Sequence, residues 1–261
     1  MDHVRTEIDG GIALVTLDRP PVNALDSQAF REITETFEEL SRSREAQVAI
    51  FTAAGRVFCG GVDLQDSARR RGRQGDDASV SDLLDPGAVA RECFWALHDC
   101  RIPVIGAING AAVGAGLALA ASCDILVASE QARFALTEIN AGVLGGGRFL
   151  QRLVGPYKTR MLFYTGEFVS AEELYRLGAV EKVVPHADLL AEARQLAGRI
   201  AKKSPIGLRL AKESLNRVEY LPLKEGYHLE QEYTGRIARY DDSAEARLAY
   251  LEKRDPDWSW R

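Results

Sequence analysis

The sequence predicts an α/β fold, and three features carry that reading. Short apolar runs alternate with stretches of helical periodicity, and the first such run, Val48-Ala49-Ile50-Phe51, is apolar throughout, as a strand covered by helices on both faces requires. Two glycine-rich turns each follow an apolar run and lead into a helix start. The last third of the chain is mainly helical in its periodicity.

In chain order, Val4 to Leu17 reads as a hairpin. Ile12 and Leu14 alternate with Ala13, Val15 and Leu17 behind the turn signal Asp9-Gly10-Gly11. From Ser27 to about Arg44, Phe30, Ile33, Phe37 and Leu40 recur at steps of three and four behind Asp26 or Ser27 as N-cap, which makes an amphipathic helix. With Val48 to Phe51 it forms a first βαβ unit. Gln65 to Pro86 is polar, charge-rich and longer than an ordinary connection, so a surface loop or lid beside a site is expected there. Phe94 and Leu97 fall on a helix, Pro103 to Ile108 on a strand, Gly114 to Ser122 on a helix of small residues, and Ile125-Leu126-Val127 on another strand. Past Gly155, helical periodicity covers Ala171 to Leu177, Leu189 to Ile200, Ile206 to Val218 and Leu223 to Tyr240. No internal repeat at a fixed period and no low-complexity tract interrupts the order.

Composition removes several function classes. With 261 residues, 46% hydrophobic and 27% charged, the chain has the balance of a globular protein rather than of a disordered or fibrous one. A formal net charge of −5, and a basic run (Arg69-Arg70-Arg71 with Arg73) set amid Gly, Asp, Ser and Gln, argue against a nucleic-acid surface. Cys59, Cys93, Cys100 and Cys123 lack the paired short spacing of a zinc site and are expected to be reduced thiols in a cytoplasmic protein. No stretch reaches the roughly 18 apolar residues of a membrane span, and Met1-Asp2-His3-Val4 does not open a leader pattern.

Three stretches carry chemistry. In Phe58-Cys59-Gly60-Gly61-Val62-Asp63-Leu64, two glycines let bare backbone approach a ligand, and free amides at such a turn suit a developing oxyanion; a tight structural turn is the alternative. Asn109 to Ala120 repeats the arrangement through Gly110, Gly114 and Gly116, so two N–H donors could converge on one oxygen; close helix packing by Gly and Ala is the alternative. A dinucleotide fingerprint fits Gly114-Ala115-Gly116 poorly, because Leu119 fills the third small position and Asp124 comes too early for a ribose-binding acid. The third stretch, Phe134 to Gly142, holds one carboxylate, Glu138, among apolar or neutral residues, where burial would raise its pKa toward that of a useful base. His3, His98, His186 and His228 lie outside these stretches and Ser122 lacks a nucleophile elbow, which disfavours Ser-His chemistry.

These residues resemble the crotonase (enoyl-CoA hydratase/isomerase) superfamily along nearly the whole chain. Leu17-Asp18-Arg19-Pro20 with Asn23-Ala24-Leu25 is similar to its opening signature, although one residue is missing between Pro20 and Asn23. Phe58 to Leu64 resembles its first oxyanion turn and Ile108-Asn109-Gly110 through Cys123-Asp124-Ile125 its second. Gly145-Gly146-Gly147, Gln151 to Gly155, Ser204-Pro205, Ala211-Lys212 and Leu251-Glu252-Lys253-Arg254 continue the likeness. The resemblance implies a crotonase-like spiral of repeated ββα units over residues 1–200 and a C-terminal helical oligomerisation region over 201–261, giving a homotrimer or hexamer. It also implies Val62 and Ala115 as oxyanion donors, Gly60, Gly61, Val62, Asp63, Leu64 and Gln65 along the CoA path, an acyl-CoA substrate that brings its own CoA, and no separate cofactor or metal.

Hydratases of that family carry two glutamates, and here the first position is Ala118 while the second is Glu138. One base suffices to move a proton from the α to the γ carbon of a bound enolate. The sequence therefore favours an enoyl-CoA isomerase-like activity, with a one-glutamate hydratase or a non-catalytic acyl-CoA-binding protein as alternatives.

Overall fold

The computed structural model describes residues 1–66, 85 and 87–261. Most of the loop expected at Gln65 to Pro86, with its arginine run, lies outside the described residues. The hairpin forms as expected, β1 (Val4–Asp9) antiparallel to β2 (Ile12–Leu17). Gly10 and Gly11 turn it at φ 54° and 78°, left-handed values that residues with a Cβ resist. Ala13, Val15 and Leu17 point into the core, the alternation the sequence shows.

Helix α1 (Ser27–Arg42) is capped by Asp26, whose Oδ1 accepts the Ala29 N–H at 2.8 Å. It stops short of Arg44 because Ser43 is extended, its N–H closing on Glu39 O. Phe37 of this helix meets Phe51, and Phe51 meets Phe58, edge to face at 5.4 and 5.5 Å between centroids, tying α1 to the strands beneath it.

From there the chain coils. Each turn sends one strand to a six-stranded sheet and the next to a four-stranded sheet. The pairs are β3 (Val48–Ala53) with β4 (Val57–Cys59), β5 (Val104–Ile108) with β6 (Ala111–Val113), and β7 (Ile125–Ser129) with β8 (Arg133–Ala135). With β9 (Val169–Ser170) and β10 (Lys182–Val184), the sheet orders are β1-β2-β3-β5-β7-β10 and β4-β6-β8-β9. The β3-β5-β7 and β4-β6-β8 neighbours are parallel, and α2 (Ala88–His98), α3 (Ala115–Ser122) and α4 (Gly147–Thr165) complete the turns. This is the expected ββα spiral. Its short second strands are not legible as strands in the sequence, since three residues are too few to display a period of two.

Helix α4 breaks at Gly155 (φ 73°), and Pro156 restarts it, Pro being suited to a first helical turn. After α5 (Ala171–Arg176), α6 (Leu189–Ala201) lays Leu189, Ala193 and Ala197 on the outer face of the large sheet, against Ile50, Ile105 and Val127. Helices α7 (Pro205–Val218), α8 (Leu223–Ile237) and α9 (Asp241–Glu252) follow. The periodicity expected to Tyr240 ends at Ile237, and α9 is an element the sequence reading did not contain. All four cysteines are buried and free, and burial pushes the Cys59 and Cys123 thiols up to about 12. Among the described residues no helix is long and apolar enough to cross a membrane, and no group of His, Cys, Asp and Glu could hold a metal ion.

Candidate active site

The first glycine turn is fastened to the segment that precedes α1. Gly60 N–H donates to Val22 O (2.9 Å), Leu25 N–H to Gly61 O (2.7 Å) and Asp63 N–H to Leu25 O (2.9 Å). These bonds bracket Val62 in a parallel bridge with Leu25, so its own N–H faces the other way. Gly61 has φ 95°, and a Cβ there would stand 3.0 Å from Val113 O and 3.8 Å from Ala115 N. Only glycine allows this approach, which sets the two glycine turns side by side.

The second turn ends at Gly114 (φ 56°, ψ −117°), whose N–H is held by Ala135 O at 2.9 Å. Ala115 is then the first residue of α3, where an N–H has no intrahelical partner and the helix dipole is positive. Among the described residues, neither the Val62 nor the Ala115 N–H has an acceptor. A Cβ on Gly116 would collide with the Cys59 carbonyl, so α3 rests directly on the first turn.

Glu138 opens a 3₁₀ turn (Glu138–Ala141) two residues beyond β8. Its carboxylate reaches Gly114, where an added Cβ would lie 2.5 Å from Oε1. Its Oε2 is buried without a partner. Burial pushes the carboxyl above its ordinary 4.5, against the pull of its own and Thr137's N–H groups. Ala118 is buried on the face of α3 shared with Gly114 and Ala115, and it brings no titratable group. Of the remaining residues on the expected CoA path, Leu64 and Gln65 are exposed and Asp63 is half-buried, its Oδ1 accepting the N–H groups of Gln65 (3.0 Å) and Asp66 (3.2 Å). A separate cleft of about 840 Å³, lined by Arg44, Arg101, Arg209 and Trp260, contains none of these groups.

A buried carboxylate with one oxygen unpartnered among the described residues thus lies beside two glycine turns, each with one N–H that has no acceptor there, an arrangement able to move a proton next to a carbonyl whose oxygen gains charge. The model of the enoyl-CoA hydratase/isomerase family matches residues 7–261. The chain belongs to that family. It is 36% identical over 254 residues to a (7aS)-7a-methyl-1,5-dioxo-2,3,5,6,7,7a-hexahydro-1H-indene-carboxyl-CoA hydrolase of Rhodococcus jostii, covering 97% of this chain and 96% of the relative. It is 35% identical over 264 residues to a probable enoyl-CoA hydratase of Mycobacterium bovis, covering 100% and 99%. The crystal structure of an enoyl-CoA hydratase from Bacillus anthracis superposes with a TM-score of 0.89 at 29% identity, covering 99% of this chain and all of that one. The protein is therefore an acyl-CoA-processing member of the enoyl-CoA hydratase/isomerase family with the crotonase fold.

Within this family member, three contributors to the candidate site lie in stretches that the sequence reading quotes without giving these residues the roles they take here. Gly114 makes room for the Glu138 carboxylate. Asn23 ties the β3–β4 corner by donating from Nδ2 to Ala54 O (2.9 Å) and Val57 O (2.8 Å). Arg19 bridges Asp26 and Asp63.

Proposed function

We propose that the protein is an enoyl-CoA isomerase-like enzyme in which Glu138 is the single glutamate base and the Val62 and Ala115 amides hold the thioester oxygen. The observation that carries this is the pairing of a desolvated Glu138 carboxylate, its Oε2 without a partner among the described residues, with the buried Ala118, which leaves the neighbouring face of α3 without a second carboxylate. In this mechanism the Glu138 carboxylate takes a proton from the α carbon of a 3-enoyl-CoA. The electrons of that C–H bond pass into a dienolate whose negative oxygen lies between the two N–H donors. Glu138, now a carboxylic acid, returns the proton to the γ carbon, and the double bond moves into conjugation with the thioester. Each donor aimed at the developing charge contributes on the order of 10²–10³ in rate.

A second reading is a hydratase or CoA hydrolase in which Glu138 alone activates water, and the names of the Mycobacterium and Rhodococcus relatives favour it. A panel of 3-enoyl-, 2-enoyl- and ring-bearing acyl-CoAs separates the two. Rapid conversion of 3-enoyl-CoA supports isomerisation, whereas water addition or hydrolysis with 3-enoyl-CoA untouched replaces it. A complex with an acyl-CoA enolate analogue tests the donors, whose nitrogens should both lie about 2.7–3.1 Å from one oxygen. We also propose a homotrimer, or a dimer of trimers, built through α7 to α9, where Leu215, Tyr220, Leu223 and Tyr227 stand exposed.

A further inference from the structure

We propose that Arg19 is a positioning residue for the oxyanion donor Val62, acting through Asp63; this rests on the proposed role of the Val62 amide. The guanidinium holds three acceptors at once. Nη2 lies 2.9 Å from Asp63 Oδ2 and 2.9 Å from Asp26 Oδ2, and Nη1 donates to Ala24 O at 2.8 Å. All three charged side chains are only about a quarter exposed or less (23%, 19% and 21%), so solvent screens them weakly and the charge-assisted bonds are strong.

Arg19 is itself anchored. Its backbone N–H donates to Asn23 Oδ1 at 2.8 Å, and Asn23 Nδ2 spans Ala54 O and Val57 O at the corner between β3 and β4. A continuous line of bonds therefore runs from the large sheet through Asn23 and Arg19 to Asp63, the residue after Val62. The Val62 peptide is held on that side by Asp63, and on the other by the Gly61 carbonyl on Leu25. Because Asp26 and Asp63 grip the same nitrogen, their nearest oxygens lie within twice a hydrogen-bond length of each other. Without the guanidinium they repel across a poorly screened gap; Asp26 is tied to α1 as its N-cap, whereas Asp63 is tied by the Gln65 and Asp66 N–H groups to the turn that follows Val62, so the repulsion on Asp63 is passed to that turn. Removing Arg19 thus swings the aim of a donor whose value depends on geometry of a fraction of an ångström.

The test uses the full-length protein with Arg19→Gln, Arg19→Lys, Asp63→Asn and the Arg19→Gln/Asp63→Asn pair. With 3-enoyl-CoA, Arg19→Gln should lower kcat about 10-fold to 100-fold while KM changes little, since a misaimed donor loses part of the about 10²–10³ that deleting one costs. Arg19→Lys should recover part of the loss, and the pair should be no worse than Arg19→Gln, because Asp63→Asn removes the repulsion. Amide exchange of the 60–66 segment should speed up in Arg19→Gln and slow again in Arg19→Lys. Unchanged kcat with unchanged exchange would overturn the proposal, as would a rise in KM alone, which would make Arg19 a substrate contact. If Arg19→Gln does not fold, Asp63→Asn carries the same test by its kcat and exchange. A wild type that turns over no enoyl-CoA sinks the functional reading instead, and the exchange measurement then still decides whether Arg19 holds Val62 in place.

Discussion

In the proposed mechanism the chemistry turns on Glu138, and its surroundings predict how it titrates. Burial raises its carboxyl above 4.5 in the folded protein. Only the ionised form accepts a proton, so kcat/KM for 3-enoyl-CoA should rise with pH through a limb displaced upward from the ordinary carboxylate range. Glu138→Gln should lower turnover by about 10²–10⁴ while leaving acyl-CoA binding nearly intact, because the amide keeps the shape but takes no proton. The stability consequence has the opposite sign. A folded pKa above the unfolded one means the Glu138 contribution is fully present below the unfolded value near 4.5 and is lost as pH rises through the folded value. Glu138→Gln should therefore unfold at higher denaturant than wild type at pH 7, with the gap closing at pH 4; an equal gap at both pH values would refute the linkage. Gly114 is the other decisive single position. Its φ of 56° and the 2.5 Å between an added Cβ and Glu138 Oε1 predict that Gly114→Ala strains the turn by about 1–3 kcal/mol and displaces the base. Activity should fall by about 10² or more, and wild-type turnover by this variant would show that Glu138 is not held there.

At the scale of elements, a buried ion pair joins α7 to the spiral, beside bonds from Asn216 to His98 O (2.7 Å) and from Arg209 to Ser43 O. Lys212 Nζ lies 2.7 Å from Asp124 Oδ2 and also donates to Leu97 O (3.3 Å) and Ile102 O (3.2 Å), while Val104 N–H donates to the same Asp124 oxygen. The burial is uneven, the Lys212 side chain being 4% exposed and that of Asp124 23%. Asp124→Ala strands a buried ammonium and should cost about 3–5 kcal/mol. Lys212→Met leaves a carboxylate that keeps its Val104 partner and some solvent, and should cost about 1–2 kcal/mol. Urea denaturation of both variants checks the order, and a larger loss for Lys212→Met would show that the lysine's packing outweighs its charge. The same logic explains α3. Its eight residues, Ala115 to Ser122, are all buried, with Gly and Ala letting the helix lie flat on the first glycine turn.

For the whole molecule, several apolar and aromatic side chains of the last helices stand exposed among the described residues. Leu223 is 91% exposed and Tyr250 85%, with Leu215, Tyr220 and Tyr227 also projecting from α7, its end and α8. Such a surface is costly in water unless covered, and copies of the same chain related by rotation cover it in the proposed trimer. Light scattering should return three or six times the 28.7 kDa chain mass, and Leu223→Glu should shift the population toward smaller species. A monomer that persists over a wide concentration range would assign these residues another partner.

How much of this was legible beforehand follows from the range of each interaction. Hydrophobic period and local turn chemistry act within a few residues, and they sufficed for the hairpin at Gly10-Gly11, for α1 behind Asp26, for the buried run at Val48 and for the helices up to Ile237. The ordered signatures around Gly60, Gly114 and Glu138 likewise pointed to the family, which the family model matches, and supplied the three stretches from which the candidate site is built. The sequence could not show that the Gly61 backbone lies against Ala115, that Glu138 fills the space a side chain on Gly114 would need, or that Arg19 reaches Asp63, 44 residues away. Those contacts are made between successive coils of the spiral, and only the packing of α3 onto the first turn decides them, because a chain's local preferences contain no information on which distant backbone will come within 4 Å.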